Sequence, residues 1–410
     1  MSRAVPAAPA GSRSALPPVQ SPALLAALAL ALGAVALGLA YDARQGALLV
    51  LGGALGLVLY HAAFGFTSAW RVFILEGRGR GLRAQMVMLS IAVLLFFPAL
   101  SAGTLFGEEV RGLVSPLSTG VVVGAFLFGI GMQMGGGCAS GTLFTAGGGN
   151  ARMVVTLLFF VVGSVLATVH FDWWTSLPAF EPVTLVSLGA PAGIAVSLAL
   201  FGAIALLTVA WEKRRNGALE TEPPARTQGW QRFARGPWPL VAGAVALALL
   251  NFLTLWLAGR PWGITSAFAL WGAKGAQVLG IDPTAWAYWQ TPANAAALSN
   301  SVFADVTSVM NFGIIGGALL AASLAGRFAP SLKIPPRQLV ASVVGGLLLG
   351  YGARIAYGCN IGAYFSGIAS GSLHGWLWLV AAFAGNAVGV RLRPFFFGEG
   401  HRGSAGAGSA

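Results

Sequence analysis

The chain has 410 residues, 56% hydrophobic and 9% charged, with a mean hydropathy of +0.77. Soluble domains are about a quarter charged, so this composition excludes a water-soluble globular protein. The formal charge of +12 does not indicate nucleic-acid binding, because the basic residues lie in short loops between apolar runs, where they set membrane orientation.

Residues 1–21 read as a disordered Pro/Ala/Ser tail with no cleavable signal. A helix crossing the hydrocarbon core needs about 20 apolar residues. The segments that qualify are Leu24–Tyr41, Ala47–Tyr60, Ala84–Ala102, Ser118–Met134, Met153–Phe171, Ala190–Trp211, Pro239–Ala258, Ser301–Ala325, Leu339–Ala356 and Gly375–Val390. Four shorter apolar pieces, Phe66–Leu75, Cys138–Gly149, Ile264–Gly280 and Cys359–Ser372, cannot span and read as half-helices. The expected fold is an all-α polytopic membrane protein. Its expected parts are an extra first helix (22–46), a first repeat with a connecting helix (47–211), a cytoplasmic linker (212–236), a second repeat (237–390) and a disordered tail (391–410).

Placing both termini in the cytoplasm puts 18 of the 24 Lys and Arg residues in cytoplasmic segments. The opposite side then carries Asp42, Glu108, Glu109, Asp172, Glu181 and Asp282 against Arg44 and Arg111 in its loops. This is the orientation that the positive-inside rule selects.

The run GAFLFGIGMQMGGGCASGTLF, Gly124–Phe144, aligns without a gap on GGLLLGYGARIAYGCNIGAYF, Gly345–Phe365, and superposes Cys138 on Cys359. A second pair, Gly65-Phe66-Thr67-Ser68-Ala69 and Gly263-Ile264-Thr265-Ser266-Ala267, stands earlier in each half. Counting spans, the two cysteine helices run in opposite directions, so the halves are inverted repeats. In such folds the solute site lies near the bilayer midplane, where discontinuous helices meet.

Each cysteine stands between glycines, Gly137 and Gly141 in one half and Gly358 and Gly362 in the other, so the backbone can leave one helix there and begin another. The new helix N-terminus favours an anion. Ser140, Thr142, Thr67, Ser68, Thr265 and Ser266 add a polar, uncharged lining, and the motifs hold no fixed acid. A thiol is a weak donor and a polarizable acceptor, which suits a soft sulfur-bearing solute. The alternatives are inert buried cysteines at packed glycines, a disulfide, or a soft metal site drawing on Met132 and Met134, which have no methionine counterparts in the second half. Arg354, on the Cys359 helix, is a candidate pathway residue, with pairing to Asp305 as its structural alternative. Lys274, Arg260, His61, His374 and Asn360 are similarly ambiguous. No nucleotide motif or intramembrane acid pair is visible, so no cofactor is expected and a channel-like path is the default. No histidine or carboxylate lies in either cysteine motif to activate a thiol, which argues against an enzyme.

The paired GxGxxxxxGCxxG stretches, with FGFTSAWRVFILEG and its partner WGITSAF, resemble the YeeE/YedE family of sulfur-compound membrane transporters. The resemblance covers Ala47–Val390. It implies an hourglass-shaped inverted-repeat protein of a bacterial inner membrane that takes up thiosulfate or a related ion through successive thiol contacts. Cys138 and Cys359 fall on the family's two central cysteines, whereas Gly65 stands where many members place a further cysteine. Some relatives are linked to selenium handling, and many operate with a small cytoplasmic sulfur carrier of the TusA type.

Overall fold

The computed structural model describes residues 17–222 and 229–398. Its first half comprises α1 (Pro22–Ala40), α2 (Ala43–His61), α3 (Phe66–Glu76), α4 (Arg80–Ala102), α5 (Thr119–Gly135), α6 (Ala139–Gly147), α7 (Ala151–Val169), α8 (Phe171–Ser176) and α9 (Ala190–Asn216). After the linker helix α10 (Gly229–Arg235) come α11 (Leu240–Ala258), α12 (Thr265–Val278), α13 (Ala287–Gln290), α14 (Pro292–Ser299), α15 (Val306–Leu324) and α16 (Pro336–Ile355). A π-helical segment, Asn360–Ser366, the short α17 (Gly367–Ala369) and α18 (Leu373–Phe397) complete the chain. Among the described residues ten spans are long and apolar enough to cross a membrane, and each coincides with an expected one. The four expected half-helices are α3, α6, α12 and the π segment with α17.

Helix ends follow local polar chemistry more closely than hydropathy. The Asp42 carboxylate accepts the Gln45 N–H at 2.7 Å, so α2 starts ahead of its apolar run. Asp305 caps α15 in the same way through the Ser308 N–H at 2.7 Å, which puts the start of that helix later than Ser301. At the other end of the chain, residues 391–397 are the last turns of α18 rather than tail. Within the expected 212–236 linker, Glu212–Asn216 closes α9 and Gly229–Arg235 forms α10. The expected tail residues 1–16 and 399–410 and the linker residues 223–228 lie outside the described residues.

The two halves interleave. α16 packs on α7 and α5, α18 packs on α5, and the pair α2/α15 has its counterpart in α4/α11. The crossings repeat residue by residue. A Cβ on Gly129 would meet Ala382 O at 2.1 Å and Asn386 N at 2.7 Å, and one on Gly350 would meet Phe160 O at 2.1 Å and Ser164 N at 2.5 Å. Only glycine admits backbones this close. α5 and α16 cross antiparallel, Gly124 lying on Gly352 and Gly131 on Gly345. Equivalent helices that cross antiparallel at equivalent residues are what an inverted repeat requires. The spans α1 and α9 are largely exposed, on the periphery, whereas α2, α5 and α15 are the most buried.

At the basic end, Glu212 is fully buried and ties α9 to the turn between α3 and α4. Its carboxylate accepts from the Gly79 N–H at 2.9 Å, Arg83 at 2.7 Å and the Glu220 N–H at 2.7 Å.

Candidate functional site

α5 ends in three consecutive glycines, the second of which, Gly136, has φ +87°, a left-handed conformation that stops the helix. The chain then reaches Cys138, the N-cap of α6. α16 ends likewise: Tyr357 has φ +57° and Gly358 φ +153°, and Cys359 caps the π segment. Apolar helices broken at mid-chain by left-handed backbone are tolerated in a membrane only where protein or a cavity surrounds the break.

Both cysteines are free and belong to one continuous core, Cys138 1% and Cys359 0% exposed. α6 packs against the π segment, which brings the two breaks together. Each sulfur lies beside N–H groups of the short helix that it caps, Ser140 and Gly141 for one and Ile361 and Gly362 for the other. The Ile361 N–H donates to Cys359 Sγ at 3.4 Å, and the Ser140 hydroxyl lies 3.3 Å from Cys138 Sγ. The Thr142 hydroxyl donates to Cys138 O at 2.8 Å and thus braces the break instead of lining it. Gly137 packs on Gly141 and Thr142, so a side chain there would collide with the start of α6.

Two observations mark space and unmet polarity at this waist. Gly362 is buried, yet a Cβ built on it would meet nothing within 4 Å, and one on Gly141 would meet only Cys138 Sγ, at 3.6 Å. Asn360, next to Cys359, is 0% exposed, and neither its Oδ1 nor its Nδ2 has a partner. A buried amide with no partner costs about 1–3 kcal/mol, so the site holds polarity that the closed protein leaves unused.

The other predicted residues divide. Gly65 caps α3, and the half-helix start lies beside the π segment through the edge-on contact of Phe66 with Tyr364, their rings 6.1 Å apart. Thr67 is buried with its hydroxyl unpartnered, whereas exposed Ser68 donates to Gly65 O at 3.0 Å. In the second half, half-buried Gly263 precedes the break, Thr265 is buried, and Ser266 is held by the Thr307 hydroxyl at 3.1 Å, which also accepts from Arg260. Arg354 is 9% exposed and does not pair with Asp305, whose carboxylate is occupied by Ser308; it donates instead to the Tyr288 hydroxyl.

Several buried amides around the breaks were missed. Gln133 Nε2 donates to Thr67 O at 3.1 Å and to Asn386 Oδ1 at 2.7 Å, and Asn311 Nδ2 donates to Ile264 O at 3.0 Å. Each ties the N-terminal end of a half-helix, α3 or α12, to a neighbouring span. Gln85 Oε1 accepts from Trp70 Nε1 at 3.1 Å and from the Tyr364 hydroxyl at 3.3 Å, and so ties α3, α4 and the π segment together. A polar side chain inside an otherwise apolar span was the available signal.

A family model described as "Sulphur transport" matches residues 61–388. The thiosulfate transporter TsuA of Spirochaeta thermophila is 29% identical over 349 residues, 82% of this chain and 96% of its own length. TsuA of Escherichia coli is 26% identical over 347 residues, 82% of this chain and 91% of its own. The probable transporter YedE of Escherichia coli is 29% identical over 173 residues, so this chain aligns with only 42% of YedE's length. With a match that runs from the end of α2 into α18 and takes in both cysteine breaks, the chain belongs to the sulphur-transport family of membrane proteins.

Proposed function

We propose that this protein takes up thiosulfate, or a related small sulfur-containing anion, across a bacterial inner membrane, with both termini in the cytoplasm. The observation that carries the reading is the mirrored pair of N-cap thiols, buried and free at two breaks that pack together, each beside the N–H groups of a short helix. The names of the TsuA relatives point to the same substrate. In this reading the anion's oxygens meet helix N-terminal N–H groups while its terminal sulfur meets a polarizable thiol. Gly141 and Gly362 leave room for it, and the Asn360 amide and the Thr67 and Ser140 hydroxyls complete its contacts. Gly65, Ser68, Gly263, Thr265 and Ser266 form the approaches. Both thiols are sealed in this structure, so passage requires the breaks to part. A TusA-like carrier would receive the ion at the cytoplasmic face.

The test is uptake into proteoliposomes of thiosulfate, sulfite, sulfate and selenite. Cys138→Ala and Cys359→Ala should each abolish thiosulfate uptake while inserting normally, and the serine variants, which keep size but lose the soft atom, should be nearly as impaired. Wild-type flux no greater than leakage from empty vesicles would refute the reading. A persulfide found on either thiol by mass spectrometry would replace it with covalent sulfur transfer.

A further inference from the structure

We propose that Arg354 and the Tyr288 hydroxyl form an anion-docking site at one mouth of the pathway, a site that the inverted repeat does not duplicate at the other mouth. It rests on the transport reading for the ion's onward route, but not for binding.

Arg354 stands in the last turn of α16, four residues ahead of Gly358 and the Cys359 break. It is 9% exposed, and no carboxylate pairs with it among the described residues. Its guanidinium lies 5.3 Å from the centre of the Tyr288 ring and donates through Nη1 to the Tyr288 hydroxyl, while the buried Nε–H has no partner. A nearly buried cation with an unmet donor is costly. An anion relieves that cost, because a guanidinium edge presents parallel donors to two oxygens of a carboxylate, sulfate or phosphate-like group.

Tyr288 comes from α13, in the segment between α12 and α15 that has no counterpart of similar length in the first half. That segment is anchored independently of Arg354. Trp289 is buried and donates to the Thr168 hydroxyl at 3.3 Å, and Tyr288 packs edge-on against Phe171 at 5.1 Å. The tyrosine is thus held over the arginine by the outer ends of α7 and α8.

In the repeat alignment, the partner of Arg354 is Gln133. It is fully buried and neutral; its Nε2 is committed to Thr67 O and Asn386 Oδ1, and its unpartnered atom, Oε1, is an acceptor that offers an anion nothing. Two guanidiniums at that end of α5, Arg152 and Arg393, donate to the carbonyls of Gly135 and Gln133 and stack on Phe397. They are engaged with the end of α5 and with an aromatic ring, and neither occupies the position that Arg354 holds in the repeat.

The site is tested on the full-length protein in detergent, by calorimetric titration with thiosulfate and with sulfate, and in parallel by proteoliposome flux from each side. Arg354→Gln, which copies the mirrored residue, should weaken binding by roughly tenfold, the scale of one charge-assisted hydrogen bond. It should raise the half-saturating concentration for entry from the Tyr288 side, with maximal rate and entry from the opposite side little changed. Arg354→Lys, which keeps the charge but not the fork, should retain part of the affinity, and wild-type binding should weaken as ionic strength rises. Binding without flux would remove the transport reading and leave this site standing. Flux with Arg354→Gln matching wild type in both affinity and half-saturation, or wild-type binding insensitive to salt, would overturn the site.

Discussion

Asn360 shows how a single residue can be kept at a cost. With both amide atoms buried and unpartnered, its replacement by leucine of similar size should leave the melting temperature in detergent unchanged or higher, since no hydrogen bond is lost. Thiosulfate uptake should fall by roughly tenfold, the worth of one buried hydrogen bond to a charged solute. A lower melting temperature with normal uptake would instead make Asn360 a packing residue. Cys138, Cys359 and their flanking glycines stand out in the repeat by position, whereas Asn360 falls on Ala139 and read as ambiguous from the sequence. Gln133 was visible in the same alignment but stood out less, because an amide's value depends on which polar group lies opposite. That partner, Thr67 O, is 66 residues away in the chain.

Among helices, the decisive contacts are glycine crossings. A Cβ on Gly385 would stand 2.0 Å from Phe126 O and one on Gly163 2.4 Å from Leu347 O, the same crossing in each half. Gly385→Ala and Gly163→Ala should therefore each destabilise the protein by about 1–3 kcal/mol, the usual cost of overpacking, read as a lower melting temperature. Gly202→Ala, on α9 where a Cβ meets nothing within 4 Å, should be neutral or slightly stabilising. If all three behave alike, the crossings do not carry the packing assigned to them. The spans and half-helices were readable because length and apolarity suffice to identify them. Their ends were less so: Asp42 and Asp305 set helix starts through side-chain caps, and α18 continues through Arg391 and Arg393 beyond the apolar run that ends at Val390. The repeat also conceals a difference, since α6 is α-helical while its counterpart winds as a π-helix, with the Tyr364 N–H reaching Cys359 O at 3.3 Å.

For the molecule as a whole, the charge distribution makes an orientation testable. A membrane-impermeant maleimide should label Leu279→Cys, 79% exposed beyond α12, in intact cells, and should label Leu219→Cys, 38% exposed after α9, only once the inner membrane is opened. Labelling of both in intact cells would contradict cytoplasmic termini. Hydropathy, the spacing of basic residues and the two cysteine motifs determined by themselves that this is an inverted-repeat membrane protein with thiols at equivalent breaks, because those properties are periodic or local along the chain. Which side chains meet was decided only by tertiary structure. The pairing of Arg354 with Tyr288 rather than Asp305, the amides that tie half-helices to neighbouring spans, and the room beside Gly362 all join residues from different helices. The chain's order says nothing of such distances until the two halves are folded into each other.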